Sequence, residues 1–140
     1  MKLVVDANEL FSAIIAKGKG RQTKKLDILF SNKVKLFAPS LLFRELRRNA
    51  EDIKSKSGFS DNDFNAFVGI LKLRVEPVSE ENFSNKLLEA KSISTHSKDV
   101  SYFATALSLN CAIWSGEKRL KKQSCVEVFN TKDLVDKFEL

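Results

Sequence analysis

Residues Lys2–Asn8 read KLVVDAN, and this stretch decides how the rest of the chain can be arranged. Leu3, Val4 and Val5 form a short continuous apolar run, which is typical of a strand buried on both faces of a parallel sheet. Asp6 ends the run. In open α/β sheets the reacting groups collect at the carboxyl ends of the strands, so a carboxylate at this position is expected to face a crevice.

Downstream of this strand, further short apolar runs alternate with segments of helical spacing. The predicted strands are Val34–Ala38, Arg74–Pro77, Cys111–Trp114 and Val126–Phe129. Ser40 is the expected N-cap of the helix after the second strand, and Thr131 is the expected N-cap of the last helix. The alternation predicts an α/β fold, a three-layer α/β/α sandwich with a mostly parallel central sheet. A length of 140 residues with 43% hydrophobic content fits one domain spanning residues 1–140.

Composition and charge indicate which class of partner the chain binds and where in the cell it is expected. The formal net charge of +6, from 24 Lys and Arg against 18 Asp and Glu, favours an anionic partner such as nucleic acid. No apolar run approaches the roughly 18 residues that span a bilayer, so no membrane contact is expected and the chain is interpreted as cytoplasmic. Cys111 and Cys125 fit neither a close-spaced zinc pair nor a disulfide framework, and we expect reduced, mostly buried thiols.

Several carboxylates are expected to lie near one edge of the predicted sheet. Asp6 follows the first strand, Glu45 lies on the helix after the second, Asp99 opens the helix before the fourth, and Glu117 follows the fourth. Clustered carboxylates repel one another, so such a site requires a neutralising cation. An all-oxygen ligand set suits Mg²⁺ or Mn²⁺ rather than zinc. An ion of this kind can activate water and offset the charge that develops on a phosphate oxygen.

Each of these acids also has an ordinary structural interpretation. Asp6 and Asp99 could be helix caps, and Glu45 could be a solvated helix residue. Their joint placement favours the metal site. In that site, Asn8 and Ser115 could hold water or orient a carboxylate.

The order of these motifs resembles the PIN domain family. The resemblance lies in the Asp after the first strand, in LFREL around Glu45, in KDVSYFATAL from Lys98, and in IWSGEKRL from Ile113. By this resemblance the catalytic metal ligands would be Asp6, Glu45, Asp99 and, less directly, Glu117, with Asn8 and Ser115 beside them. The family more often has Asp at the last acidic position, so the carboxylate of Glu117 extends one methylene further from the backbone.

The resemblance implies a Mg²⁺- or Mn²⁺-dependent endoribonuclease that hydrolyses RNA phosphodiester bonds. The family includes VapC-like toxins held by an antitoxin protein, and ribosomal RNA processing enzymes, so an antitoxin is one candidate partner. Because the family commonly dimerises, a homodimer is expected. We expect basic residues around the cleft to hold the RNA backbone, with Lys17, Lys19, Arg21, Arg47, Arg48, Lys98 and Lys118 as the candidates.

Two other functions remain open at this point. One is a catalytically weak PIN-fold module that binds RNA or a protein, which the departure at Glu117 favours. The other is a phosphoryl-transfer enzyme with Asp6 as nucleophile. Asn8 stands where such enzymes typically have a second acid, and it argues against that chemistry.

Overall fold

Five strands alternate with helices along the chain, and the computed structural model describes all 140 residues. The strands are β1 (Lys2–Val5), β2 (Lys35–Pro39), β3 (Val75–Val78), β4 (Ala112–Trp114) and β5 (Val128–Phe129). The helices are α1 (Ala7–Gly18), α2 (Lys24–Leu29), α3 (Leu41–Arg48), α4 (Ala50–Ser57), α5 (Asp61–Arg74), α6 (Glu80–Phe83), α7 (Leu87–Ile93), α8 (Val100–Leu109) and α9 (Thr131–Phe138). Short 3-10 segments lie at Ser84–Lys86, Ser97–Asp99 and Lys118–Lys122.

The strands form one sheet in the order β3-β2-β1-β4-β5, and every neighbouring pair is parallel. This confirms the predicted sheet and shows that it is parallel throughout. β1 lies at the centre, with Val4 paired to Phe37 of β2 and Val5 paired to Trp114 of β4. β2 and β3 lie on one side of β1, and β4 and β5 lie on the other, so the strand order reverses at β1. The carboxyl end of β1 therefore lies where open α/β sheets form a crevice.

The central strand is buried as its apolar run predicts. Leu3, Val4 and Val5 have no exposed surface, and they belong to one continuous hydrophobic core that also contains Trp114. Helix α8 packs against β1, β2 and β4, while α1 packs against α2, α3 and α4. The resulting α/β/α layers confirm the predicted fold class. None of the helices combines the length and apolar character that crossing a bilayer requires.

The last strand is shorter than the sequence pattern predicts. It begins at Val128 rather than Val126, because the side-chain amide of Gln123 takes both backbone groups of Val126. Gln123 Oε1 accepts the Val126 N–H at 2.8 Å, and Gln123 Nε2 donates to the Val126 carbonyl at 2.8 Å. Val126 is buried all the same, so its apolar character reports burial and not strand pairing.

Two predicted helix caps differ in the structure. Ser40 is the N-cap residue of α3, as predicted, but its side chain makes no cap bond, since it already has helical φ and ψ angles and its N–H donates to the Val78 carbonyl at 2.8 Å. The cap of α9 is Asn130, one residue before the predicted Thr131, and Asn130 forms a reciprocal capping box with Asp133. The Thr131 hydroxyl instead accepts a hydrogen bond from the Trp114 indole at 3.1 Å.

Neither cysteine is bonded to another, as expected, but their burial differs from the prediction. Cys111 is half-buried, and burial raises the pKa of its thiol. Cys125 is exposed, because it lies in the loop before β5 and not in a packed element.

Candidate active site

Asp6 joins the end of β1 to the start of α1. Its N–H donates to the Trp114 carbonyl at 3.0 Å, which continues the β1–β4 pairing by one residue. One carboxylate oxygen, Oδ1, accepts the Asn8 N–H at 3.4 Å and caps α1. The other, Oδ2, accepts the Ser115 hydroxyl at 2.7 Å. Asp6 is therefore a helix cap, and its carboxylate is also tied to the segment that follows β4.

A cavity of about 700 Å³ opens at the carboxyl edge of the sheet, beside Asp6. All the acids singled out from the sequence line it, namely Asp6, Glu45, Asp99 and Glu117. They come from the end of β1, the middle of α3, the start of α8 and the segment after β4. Asn8 lines the cavity as well, whereas Ser115 is fully packed behind Asp6.

The cavity disfavours the ionised forms of two of these acids. Burial raises the pKa of the Asp6 carboxyl, the hydrogen bond from Ser115 opposes that shift, and the charges of Glu9 and Glu117 add to it. Burial and then the charge of Asp6 raise the pKa of Glu45, against the opposing charges of Arg48 and Lys98. Neither Asp6 nor Glu45 forms a salt bridge. Both acids therefore have the electrostatic environment that a bound cation would relieve.

The other two acids share one arginine as their cationic partner. Arg119 Nε and Nη2 donate to the two carboxylate oxygens of Asp99 at 2.8 and 3.0 Å, and Nη1 donates to Glu117 Oε2 at 3.2 Å. Asn8 Nδ2 donates to the remaining Glu117 oxygen, Oε1, at 3.2 Å. Hydrogen bonding to Asp99 raises the pKa of the Arg119 guanidinium, so this side chain stays charged.

The donor chemistry of the cavity fits a hard divalent cation, since its acids offer only oxygen ligands. Tyr102 adds a second indication. Tyr102 lines the cavity, and its hydroxyl is buried within electrostatic range of Glu45 and Asp6 without a hydrogen-bond partner, the kind of polar group that a bound water or ion satisfies. As the side chains stand, no three acidic, histidine or cysteine residues are close enough together to hold a metal ion. Two of the acids that line the cavity, Asp99 and Glu117, are instead paired with Arg119.

Two residues of this site were not singled out from the sequence. Arg119 lies in the basic EKRL segment, and an Arg in a basic turn is usually solvated. Glu9 is the second of these residues. Its buried carboxylate accepts the Gly116 N–H at 3.0 Å and pairs with Lys25 at 3.1 Å, which anchors the loop between Ser115 and Glu117. The one signal in the sequence is that Glu9 interrupts the apolar face of α1.

The basic candidates separate into those near the acids and those elsewhere. Arg48 and Lys98 line the 700 Å³ cavity. Arg21 lines a different cavity of about 380 Å³, together with Lys24 and Lys25. The others line neither of these two cavities, namely Lys17, Lys19, Arg47 and Lys118. The structure thus places two of the seven basic candidates in the same cavity as the acids.

Comparison with known families gives one result. A family model described as a PIN domain matches residues 4–134, nearly the whole chain. The matched range includes all four acids at the cavity, the second half of β1 and the other four strands of the sheet. No curated protein matches the sequence significantly.

Proposed function

Because the chain belongs to the PIN domain family, we propose that it is a metal-dependent endoribonuclease that hydrolyses RNA phosphodiester bonds. PIN domains are generally metal-dependent nucleases, and that coarse activity follows from family membership. The observation that carries the finer proposal is the convergence of Asp6, Glu45, Asp99 and Glu117 on one cavity. Acids drawn from four separate segments to one sheet edge are costly to place together unless they share a cation.

In this proposal Asp6, Glu45 and Asp99 hold Mg²⁺ or Mn²⁺, and Glu117 contributes directly or through water. Such an ion, when bound, supplies an activated water and stabilises negative charge on the phosphate. Ser115 keeps the Asp6 carboxylate in one orientation, since its hydroxyl donates to Asp6 while accepting the Glu117 N–H at 3.0 Å. The Tyr102 hydroxyl would donate to a water in the cavity.

The cations at the cavity suggest how RNA is held. Arg48 and Lys98 flank Glu45 closely enough to oppose its raised pKa, so both lie within electrostatic range of a phosphate in the cavity. Contacts of this type are independent of sequence and weaken as salt rises. We therefore propose that these residues bind the RNA backbone next to the scissile bond.

The test is cleavage of single-stranded RNA in Mg²⁺ or Mn²⁺ by wild type, Asp6→Asn, Glu45→Gln and Asp99→Asn. Each variant should lose cleavage while its far-UV circular dichroism stays native. The double variants should lose little more than the single ones, because ligands of a shared ion act as a unit. Glu127→Gln is the matched control, as it neutralises an exposed acid that precedes β5 at the amino edge of the sheet. Full activity in Asp6→Asn would sink the proposal.

A second candidate is a PIN-fold module that binds RNA or a protein without cleaving it. One observation favours it, namely that Asp99 and Glu117 are paired with Arg119 and no three acids are gathered around a single point. Titration with metal in the presence of RNA separates the two functions. Binding of RNA that is unaffected by metal, with no cleavage product, would support the module.

For the cellular role we propose the toxin of a toxin–antitoxin pair or an RNA-processing nuclease, with a homodimer as the assembly. The support is family membership together with the basic charge of the chain. If an adjacent reading frame encodes an antitoxin, its product should form a complex with the chain and block RNA cleavage. Light scattering tests the assembly, since a mass of 15.8 kDa at all concentrations would exclude the homodimer.

A further inference from the structure

Arg119 forms a bidentate salt bridge with Asp99 through its planar guanidinium. Two of its nitrogens reach the two oxygens of one carboxylate, at 2.8 and 3.0 Å, which is the strong bidentate form of this pair. The Asp99 side chain is only 8% exposed and the Arg119 side chain 35%, so water screens the pair less than it screens a surface ion pair.

Short 3-10 segments position both residues of this pair. Arg119 lies in the 3-10 segment Lys118–Lys122, which is anchored in the core by the buried Leu120. Asp99 ends another 3-10 segment, at the start of α8. The fold therefore brings this arginine to Asp99, from which it is separated by 20 residues in sequence.

Arg119 leaves the acids of the cavity in two groups. Asp99 and Glu117 have a cationic partner, and every oxygen of these two carboxylates accepts a hydrogen bond from Arg119 or Asn8. Asp6 and Glu45 have no cationic partner and retain mutual repulsion. Arg119 thus supplies a positive charge to Asp99 and Glu117, whereas Asp6 and Glu45 are suited to a bound metal ion.

We propose that Arg119 is an internal competitor of the metal: its guanidinium occupies Asp99 and Glu117 in the metal-free protein and must leave Asp99 for a divalent cation to be bound there. This inference rests on the proposed metal-dependent function and concerns its regulation. A guanidinium and a divalent cation on one carboxylate repel each other, so both cannot hold Asp99 at full strength. The arginine stabilises the metal-free fold and weakens metal binding.

The alternative is that Arg119 only positions Asp99 for the metal, and the two roles predict opposite signs. Arg119→Gln removes the charge and the fork. A competitor's removal should tighten Mn²⁺ binding, by about tenfold or more, because a charge-assisted hydrogen bond no longer has to be broken. A positioning residue's removal should weaken Mn²⁺ binding, because Asp99 would lose its orientation.

The experiment is titration calorimetry with MnCl₂ on the whole chain, alongside thermal melts in EDTA and in Mn²⁺. For Arg119→Gln we expect a lower melting temperature in EDTA, a larger increase on adding Mn²⁺, and a smaller Kd. Arg119→Lys keeps the charge without the fork and should fall between wild type and Arg119→Gln. Arg48→Gln is the matched control, since it removes one positive charge from the same cavity without breaking a carboxylate pair, and its Kd should change less.

A measurement on the wild type covers the case in which Arg119→Gln does not fold. The Arg119 Nε–H resonance, assigned with Arg119→Lys, should be protected from exchange without metal and lose that protection as Mg²⁺ is added. Unchanged protection at saturating Mg²⁺, or an Arg119→Gln protein that binds Mn²⁺ no more tightly than wild type, would overturn the competitor role alone. Failure of both proteins to bind Mn²⁺ would overturn the proposed function and this inference together.

Discussion

The Ser115 hydroxyl donates a 2.7 Å hydrogen bond to Oδ2 of Asp6, and it thereby joins residues that are 109 positions apart in sequence. The Ser115 Oγ also accepts the Glu117 N–H at 3.0 Å, so the hydroxyl proton is directed towards Asp6. Ser115 is 1% exposed, and its place directly after β4 follows from the pairing of β1 with β4. One hydroxyl thus aligns two of the acids that face the cavity.

The first prediction concerns Ser115→Ala. At about pH 7 the variant should be less stable than wild type by about 2 kcal/mol, because a buried hydrogen bond to an ionised carboxylate is lost. This bond favours the ionised form of Asp6, so the loss of stability should shrink as pH falls through the raised pKa of Asp6. Urea unfolding at several pH values measures both effects.

Ser108→Ala is the control for that series. Its hydroxyl donates to the Thr105 carbonyl at 2.9 Å and touches no carboxylate, so any change in stability should be small and independent of pH. If the loss of stability in Ser115→Ala were equally small and independent of pH, the hydrogen bond would not stabilise the ionised form of Asp6.

The second prediction is that Asp6→Asn in EDTA gains stability relative to wild type as pH rises. The pKa of Asp6 is raised in the folded protein, so the stability associated with its protonated form is present below the unfolded pKa of about 3.9 and is lost as pH increases. Asparagine has no such loss and can still accept the Ser115 bond. The difference in unfolding free energy should therefore grow between about pH 4 and about pH 7.

Asp61→Asn provides a comparison of opposite sign. Hydrogen bonding from Lys54 lowers the pKa of Asp61, so its stabilising effect is present above the unfolded pKa and is lost in acid. Asp61→Asn should be weaker than wild type near neutral pH and equal to it in acid. An Asp6→Asn profile that followed Asp61→Asn would show that Asp6 is mainly a stabilising helix cap.

The third prediction concerns Glu9→Gln, which should destabilise the protein by about 1 to 3 kcal/mol. The variant loses the 3.1 Å ion pair with Lys25, although the Gln carbonyl oxygen can still accept the Gly116 N–H. Because Glu9 anchors the loop before Glu117, the variant should also bind Mn²⁺ more weakly. A double-mutant cycle with Lys25→Met isolates the ion pair, and strictly additive losses would contradict it.

The fourth prediction concerns Tyr102→Phe, which removes a buried hydroxyl that has no partner. The polar contact of this hydroxyl with the Ala7 backbone falls short of hydrogen-bond geometry, so stability in EDTA should be unchanged or up to about 1 kcal/mol higher. The stabilisation conferred by Mn²⁺ should fall, because the hydroxyl would no longer hold a water in the cavity. A clear loss of stability in EDTA would mean that the hydroxyl already has a partner in the metal-free protein.

The amino-acid sequence by itself determined the fold and the position of the acids along it. The run Leu3–Val5, fully buried at the centre of the sheet, could be recognised because a strand covered on both faces must be continuously apolar. Asp6 and Glu117 follow neighbouring parallel strands, and their meeting at one edge follows from strand direction alone. Helix caps were less certain, as Ser40 and Thr131 show, because capping depends on backbone angles that a short polar side chain does not dictate.

Only the tertiary structure decided which charged and polar side chains pair with one another. The pairing of Arg119 with Asp99 and the hydrogen bond from the Gly116 N–H to Glu9 both join segments that are distant in sequence. The same packing leaves the Tyr102 hydroxyl buried without a hydrogen-bond partner. The periodicity of apolar residues shows which face of an element is buried, but not which polar groups face one another across a cavity. Those contacts depend on side-chain rotamers and on the packing of elements a few ångströms apart, and hydrogen bonds exist only within that narrow range of distance.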